Sequence, residues 1–240
     1  AQGRSYWLSL DRPAARPLRA GAALLRQPMP AGSKKKGNKQ TSGAVAEPSS
    51  SPKVVEDSRV ACNHDGGVFT GTDEGVAEKA LPAEPFGGAL SVSFVARWDA
   101  LCEEAHVVEV GSGGCEDSIV IACHEDSSAL VADVFRSHRR KRLLIPSAIE
   151  VGSTHGYLFC VESSGHMRLL RDGEVIGELR RGYAPMNVER QRLLVGGGSR
   201  GGRGFRGRVA DVRLWREAVA WKEAFPGDAA TSAEPTPAAP

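Results

Sequence analysis

The sequence predicts an all-β fold: a two-sheet antiparallel β-sandwich of the jelly-roll kind, with disordered N- and C-terminal tails. Three observations carry that prediction. "LSVSFVARW" places Leu90, Val92, Phe94, Ala96 and Trp98 on one side of an extended chain, the period-two pattern of a strand with one buried face. Further short apolar runs follow, separated by turn residues at regular intervals, which is the spacing of a sandwich or barrel. Helical periodicity is confined to one stretch, "REAVAWKEAF", near the end of the apolar region.

Residues 1–58 are a basic segment rich in Pro, Gly and Ser. "RPAARPLRAG", "GSKKKGNKQTSG" and "EPSSSPK" offer few groups to bury, and residues 1–55 hold only two acids, Asp11 and Glu47. Such composition cannot offset the entropy of ordering. The Arg-rich, acid-poor start is shared by organelle transit segments and disordered linkers. The folded domain is expected at 59–225, and "PGDAATSAEPTPAAP" makes 226–240 a second disordered tail.

Within the domain the runs "HVVEV", "SIVIAC", "ALVADVF", "RLLI", "YLFCVE", "MRLLR", "EVIGEL", "RLLVG" and "RVADVRLW" each read as a strand. Two hairpins are legible. Ser163-Ser164-Gly165 joins one pair. Asp172-Gly173 joins the next and suits a type I′ turn, in which both central residues need positive φ. Three strands joined this closely form an antiparallel meander, because parallel pairing needs long crossovers.

Composition excludes several classes of function. The formal net charge is +2 over 240 residues, so no global field draws the chain to polyanions. No apolar run reaches the length of a membrane span. The cysteines, Cys62, Cys102, Cys115, Cys123 and Cys160, are odd in number and irregular in spacing. They do not form the disulfide framework of a small secreted domain, and buried free thiols are the simpler expectation.

Three phrases, in order, resemble one family. "GGALSVSFVARWDAL" resembles the opening strand of laminin G-like, concanavalin A-like jelly-roll domains. "VGSTHGYLFCVESSGHMRLLRDGEVIGE" is similar to their central meander, and "LLVGG…GFRGRVADVRLWREAV" to their closing phrase. The chain departs from the family where Ser153, Leu170 and Val95 replace aromatic residues, with Trp98 following in the opening strand. The resemblance implies two stacked antiparallel sheets. It assigns structural positions to Phe94, Trp98, His155, Asp172, Gly173, Phe205, Gly207 and Trp215. It further implies glycan or protein ligands, sometimes held through calcium, and an extracellular or cell-surface setting within a larger protein.

Glycoside hydrolases on this scaffold need two carboxylates correctly phased on one strand, and no E-x-D-x-x-E-like phrase is present. Cys102, His106, Cys115, Cys123 and His124 match no zinc spacing. Asp117, beside Glu116 at the start of a strand, is the candidate calcium ligand. "FRSHRRKRLL" concentrates Arg136, Arg139, Arg140 and Arg142, and "GGGSRGGRGFRGR" adds Arg200 and Arg203. These arginines are the candidate ligand-binding residues, since guanidinium forks suit spaced anions. The second stretch looks like an RNA-binding tract, but it occurs once and lies between two strands. Its Phe205 and Gly207 fall where the family's closing strand begins. The expectation is therefore a noncatalytic module binding a glycan or protein. The alternatives are a polyanion- or RNA-associated protein using loops 136–142 and 200–208, and a glycoside hydrolase.

Overall fold

The period-two run Leu90–Trp98 forms β3: Leu90, Val92, Phe94, Ala96 and Trp98 are sealed in the core, Ser91 and Ser93 are buried against Val219 and Trp215, and Arg97 is exposed. A computed structural model describes residues 57–72, 75–113, 116–199 and 204–227. The expected tails fall almost wholly outside these residues. The other strands are β1 (Val60–Thr70), β2 (Ala77–Ala80), β4 (His106–Gly111), β5 (Ile119–Cys123), β6 (Leu130–Arg136), β7 (Arg139–Ile145), β8 (Thr154–Val161), β9 (Met167–Arg171), β10 (Glu174–Leu179), β11 (Arg192–Val195) and β12 (Arg206–Trp215). They form two six-stranded sheets. Sheet A has the order β1-β12-β3-β8-β9-β10 and sheet B the order β2-β11-β4-β5-β6-β7. Every ladder within them is antiparallel, so the chain is the predicted sandwich.

The facing sides of the sheets bury one continuous core. Its aromatic centre is Trp98, which meets Tyr157 and Phe205 edge-to-face at 5.4 Å each, while Phe94 stacks on Tyr157 at 5.3 Å. The Trp98 indole donates to the Cys123 thiol at 3.3 Å, and the Tyr157 hydroxyl donates to the Ala148 carbonyl at 3.1 Å. Burial raises the Tyr157 pKa well above the usual phenol range. The polar tips of the large aromatics are thus satisfied inside the core.

The predicted meander is β8-β9-β10, and its second turn carries φ values of 50° at Asp172 and 89° at Gly173. Both residues are left-handed, as a type I′ turn requires. β1 was not anticipated. "VACNHDGGVFT" contains turn-forming residues and lacks a clean alternation, yet it pairs with β12 along its length. Its glycine is needed for close approach: a Cβ on Gly66 would lie 2.0 Å from the Val209 carbonyl oxygen.

The expected C-terminal helix shrinks to one turn, α1 (Trp221–Ala224). The preceding residues are held extended. Arg216 N–H donates to the Arg59 carbonyl at 2.8 Å, and Val219 N–H to Ser91 Oγ at 3.1 Å. This segment covers the outer side of sheet A, where Leu158, Cys160, Trp215, Val219 and Ala224 make a second apolar cluster. Arg59 fastens it, pairing with Asp57, Glu217 and Glu223 at 2.7–3.0 Å. At the opposite side, Arg190 is fully buried and donates to the carbonyls of Asp117, Phe86 and Met186. It staples three loops together. Burial lowers its pKa to about 10, with the Asp117 charge acting in the opposite direction.

Candidate functional site

The outer face of sheet B is built by alternation. In each strand the residues between core positions point away from sheet A, and the register aligns them in rows. One row runs Glu78, Leu194, Glu109, Val120, Asp133, Arg142 across all six strands. Beside it, Val120, Ala122 and Val131 form a small apolar floor with Phe135 packed against them. Acidic side chains therefore alternate with apolar ones along the row, and each has its own partner.

Asp133 is almost completely buried and is held by both arms of Arg142, Nε to Oδ1 at 2.9 Å and Nη2 to Oδ2 at 2.8 Å. Arg140 stands 3.5 Å from the same carboxylate. The forked contact is the geometry in which an arginine binds a carboxylate best, and it raises the Arg142 pKa further. Glu109, equally buried, accepts hydrogen bonds from the Ser199 amide at 3.1 Å and from the Ser199 hydroxyl, and lies 2.9 Å from His106 Nδ1. Burial by itself would raise the Glu109 pKa, but the contacts from His106 and Ser199 outweigh it and hold the carboxyl below its usual range. Glu78 faces Arg192 at 3.5 Å. The face thus presents fixed donors and acceptors around a shallow apolar floor, without a Trp or Tyr on its strands.

The predicted arginines are distributed differently from their sequence order. Arg140 and Arg142 lie on this face. Arg136 and Arg139 lie opposite each other in the β6–β7 ladder but project from the other side of the hairpin. Arg200 and Arg203 lie outside the described residues. Ser199, immediately before them, is fixed to Glu109 on the sheet-B face. The far end of the glycine-rich stretch is part of the sandwich. Phe205 is fully buried, and Arg206 and Arg208 belong to β12.

Asp117 caps the β6–β7 hairpin: its Oδ1 accepts from Ser137 N–H at 2.8 Å, and its carbonyl accepts from Arg190 Nε at 3.0 Å. A calcium ion at Asp117 would have to compete with these two contacts. Among the described residues no group of three His, Cys, Asp or Glu is placed to hold a metal. The thiols of Cys62, Cys123 and Cys160 are buried, and burial raises their pKa values. His155 and Asp172 are paired at the open end of the meander, where Asp172 Oδ1 also accepts from Gly156 N–H at 2.8 Å. Glu109, Asp133 and Ser199 were not anticipated. The one signal for the two acids is a charged residue within each of the apolar runs "HVVEV" and "ALVADVF", and strand register, which sequence does not give, sets them in one row two strands apart.

Comparison with known proteins places this architecture. None of the curated proteins matches the chain in sequence. Among solved structures, the chain is similar to the CBM40 of Ruminococcus gnavus IT-sialidase bound to α2,3-sialyllactose, with 12% identity, a TM-score of 0.55, and coverage of 69% of this chain and 96% of that one. It is similar to the SAP-like pentraxin of Limulus polyphemus, with 15% identity, a TM-score of 0.50, and coverage of 67% and 80%. It is also similar to a leech intramolecular trans-sialidase, with 12% identity, a TM-score of 0.55, and coverage of 74% of this chain but 29% of that one. At these identities the similarities concern the fold. The sequence itself matches the family described as the concanavalin A-like lectin/glucanases superfamily over residues 71–224. Over residues 71–224, from just after β1 to the end of α1, the chain belongs to the concanavalin A-like lectin/glucanase superfamily.

Proposed function

We propose that this protein is a noncatalytic glycan-binding module, folded over residues 59–225 and working as part of a larger protein. Its ligand face is the outer side of sheet B. The observation that carries the proposal is the row Glu109–Val120–Asp133–Arg142, in which buried carboxylates are locked to fixed partners on a face of the sandwich. Fixed donors and acceptors around a small apolar floor are what a sugar requires, because hydroxyls need orientation and C–H faces need a dry surface.

The same arrangement argues against hydrolysis. Glu109 and Asp133 stand two strands apart, about 9–10 Å between backbones, near the separation that inverting glycosidases use. A general acid, however, needs a raised pKa. Glu109 is held below its usual range, and both oxygens of Asp133 are taken by Arg142. Support for a sugar ligand comes from the structurally similar module bound to sialyllactose. Support for a modular setting comes from the trans-sialidase, of which this chain covers only 29%. Neither the fold nor the comparisons favour nucleic acid.

A glycan array followed by titration calorimetry tests the proposal. At least one oligosaccharide should bind and be recovered uncleaved. Arg140→Ser, at an exposed side chain, should weaken binding several-fold while leaving the melting temperature unchanged. Cleavage of the bound glycan, or no binding across the array, would overturn it.

A further inference from the structure

Four strands end the two sheets: β1 and β10 in sheet A, β2 and β7 in sheet B. An edge strand carries a row of backbone N–H and C=O groups with no ladder partner, and natural proteins shield such rows with short strands, charges, bulges or a covering element. Three of the four edges are shielded in this way. β2 is four residues long and carries Glu78 and Lys79. β7 begins with Arg139, Arg140, Lys141 and Arg142. β10 is bulged between Val175 and Gly177, and it lies so close to β7 that a Cβ on Gly177 would stand 2.6 Å from the Ile145 side chain.

β1 is left open. It is the longest strand, 11 residues, and contains no Pro, Lys or Arg. Among the described residues it pairs with β12 alone, and its register shift lies at its start, between Val60 and Cys62. The Asn63 carbonyl is turned away from the ladder and accepts from the end of the flexible Lys79 side chain. A groove of about 1240 Å³ follows this edge, lined by residues 60–65 on one side and 79–82 on the other. The groove is also acidic. Asp57 and Glu223 line it but are taken by Arg59, whereas the exposed Asp65 and Asp211 line it with no such partner among the described residues. The register sets these two opposite each other, between the pairs His64–Val212 and Gly66–Ala210. Like charges facing across a strand pair cost stability, and a cation brought to the edge would relieve them.

We infer that the free edge of β1 takes up an extended, basic peptide segment of a partner protein as an added strand of sheet A. Backbone pairing supplies the affinity of such a contact, and alternate side chains supply its specificity. Lys or Arg at every second position puts the cations on one face of the added strand. One of them then stands directly opposite Asp65, and its neighbours lie within diagonal reach. A second copy of this chain is the wrong occupant. Its β1 edge would bring the same unpaired carboxylates and no Lys or Arg to meet them. The edge is separate from the outer face of sheet B, and the inference stands or fails independently of the glycan reading.

The test measures, by fluorescence anisotropy, binding of the full chain to a panel of short peptides in which lysine alternates with valine, isoleucine, threonine or tyrosine. At least one should bind, and hydrogen exchange should slow along Asn63–Asp65 when it does. The same peptide N-methylated along one edge keeps its charge but cannot pair, and should bind about tenfold more weakly or worse. Its glutamate-for-lysine counterpart should not bind. Asp65→Asn/Asp211→Asn should weaken binding about fivefold, the worth of two exposed ion pairs, without lowering the melting temperature. Asparagine tolerates the left-handed backbone at position 211, where φ is 49°. No binding by the parent chain, equal binding of the N-methylated peptide, or unchanged affinity in the double variant would overturn the inference. So would a concentration-dependent dimer whose β1 amides are already protected without peptide.

Discussion

Phe205 is the residue on which the meaning of the glycine–arginine stretch turns. Its ring is sealed between Trp98 at 5.4 Å and Phe69 at 6.0 Å. Phe205→Ala should cost about 3–5 kcal/mol, the usual loss for a truncated core aromatic, and a thermal melt reads it directly. An unchanged melting temperature would mean that the ring is not packed. Gly207 is tied to the same corner. Its φ is 146°, and a Cβ there would lie 2.0 Å from the Arg97 carbonyl oxygen. Gly207→Ala should therefore destabilise by at least about 2 kcal/mol, measurable by urea unfolding. These positions are legible in sequence because a buried aromatic and an obligatory glycine leave a local pattern. Arg190 left none. An isolated arginine between polar residues carries no sign that it will be fully buried against three carbonyls, because its partners come from distant loops.

At the scale of elements, β4, β6 and β7 carry the charged row. Asp133 is buried and depends on Arg142. Arg142→Ala leaves the buried carboxylate with Arg140 alone, at 3.5 Å and without the fork, and should cost about 3 kcal/mol, whereas Arg142→Leu combined with Asp133→Leu should recover most of the loss. Denaturant unfolding of both variants distinguishes the two cases. Glu109 gives a pH signature. Its folded pKa lies below the ordinary 4.5, so its contribution is complete above that value and is lost as pH falls through the folded value. The stability advantage of the parent chain over Glu109→Gln should shrink steadily as pH is lowered from about 6 to about 3. An advantage constant across that range would show that the carboxylate is not held by its partners. Strand positions were readable from period-two runs. β1 was hidden by its turn-forming residues, and "RRKR" reads as part of a loop over 136–142 because four cations give no apolar alternation. In the structure they lie in β7, whose register with β6 decides which of them face Asp133 and which face Tyr183. The C-terminal helix was overestimated because its helical periodicity competed with a better use of Val219, packed against sheet A.

For the whole molecule, the sandwich was legible because its information is local and repeated: alternation, turn chemistry, and phrases in family order. The candidate site was less so. A row across six strands is assembled by register, and register is a property of the paired chain rather than of any run within it. Family membership fixes the scaffold, and function resides in what is placed on it. The most direct test of a glycan-binding sheet-B face is an NMR titration of the isotope-labelled protein with the best oligosaccharide from an array. The account predicts amide shift changes concentrated on Glu109, Val120, Ala122, Val131, Asp133 and Arg140, with the sugar intact at the end. Shift changes confined to sheet A, or hydrolysis of the sugar, would contradict it.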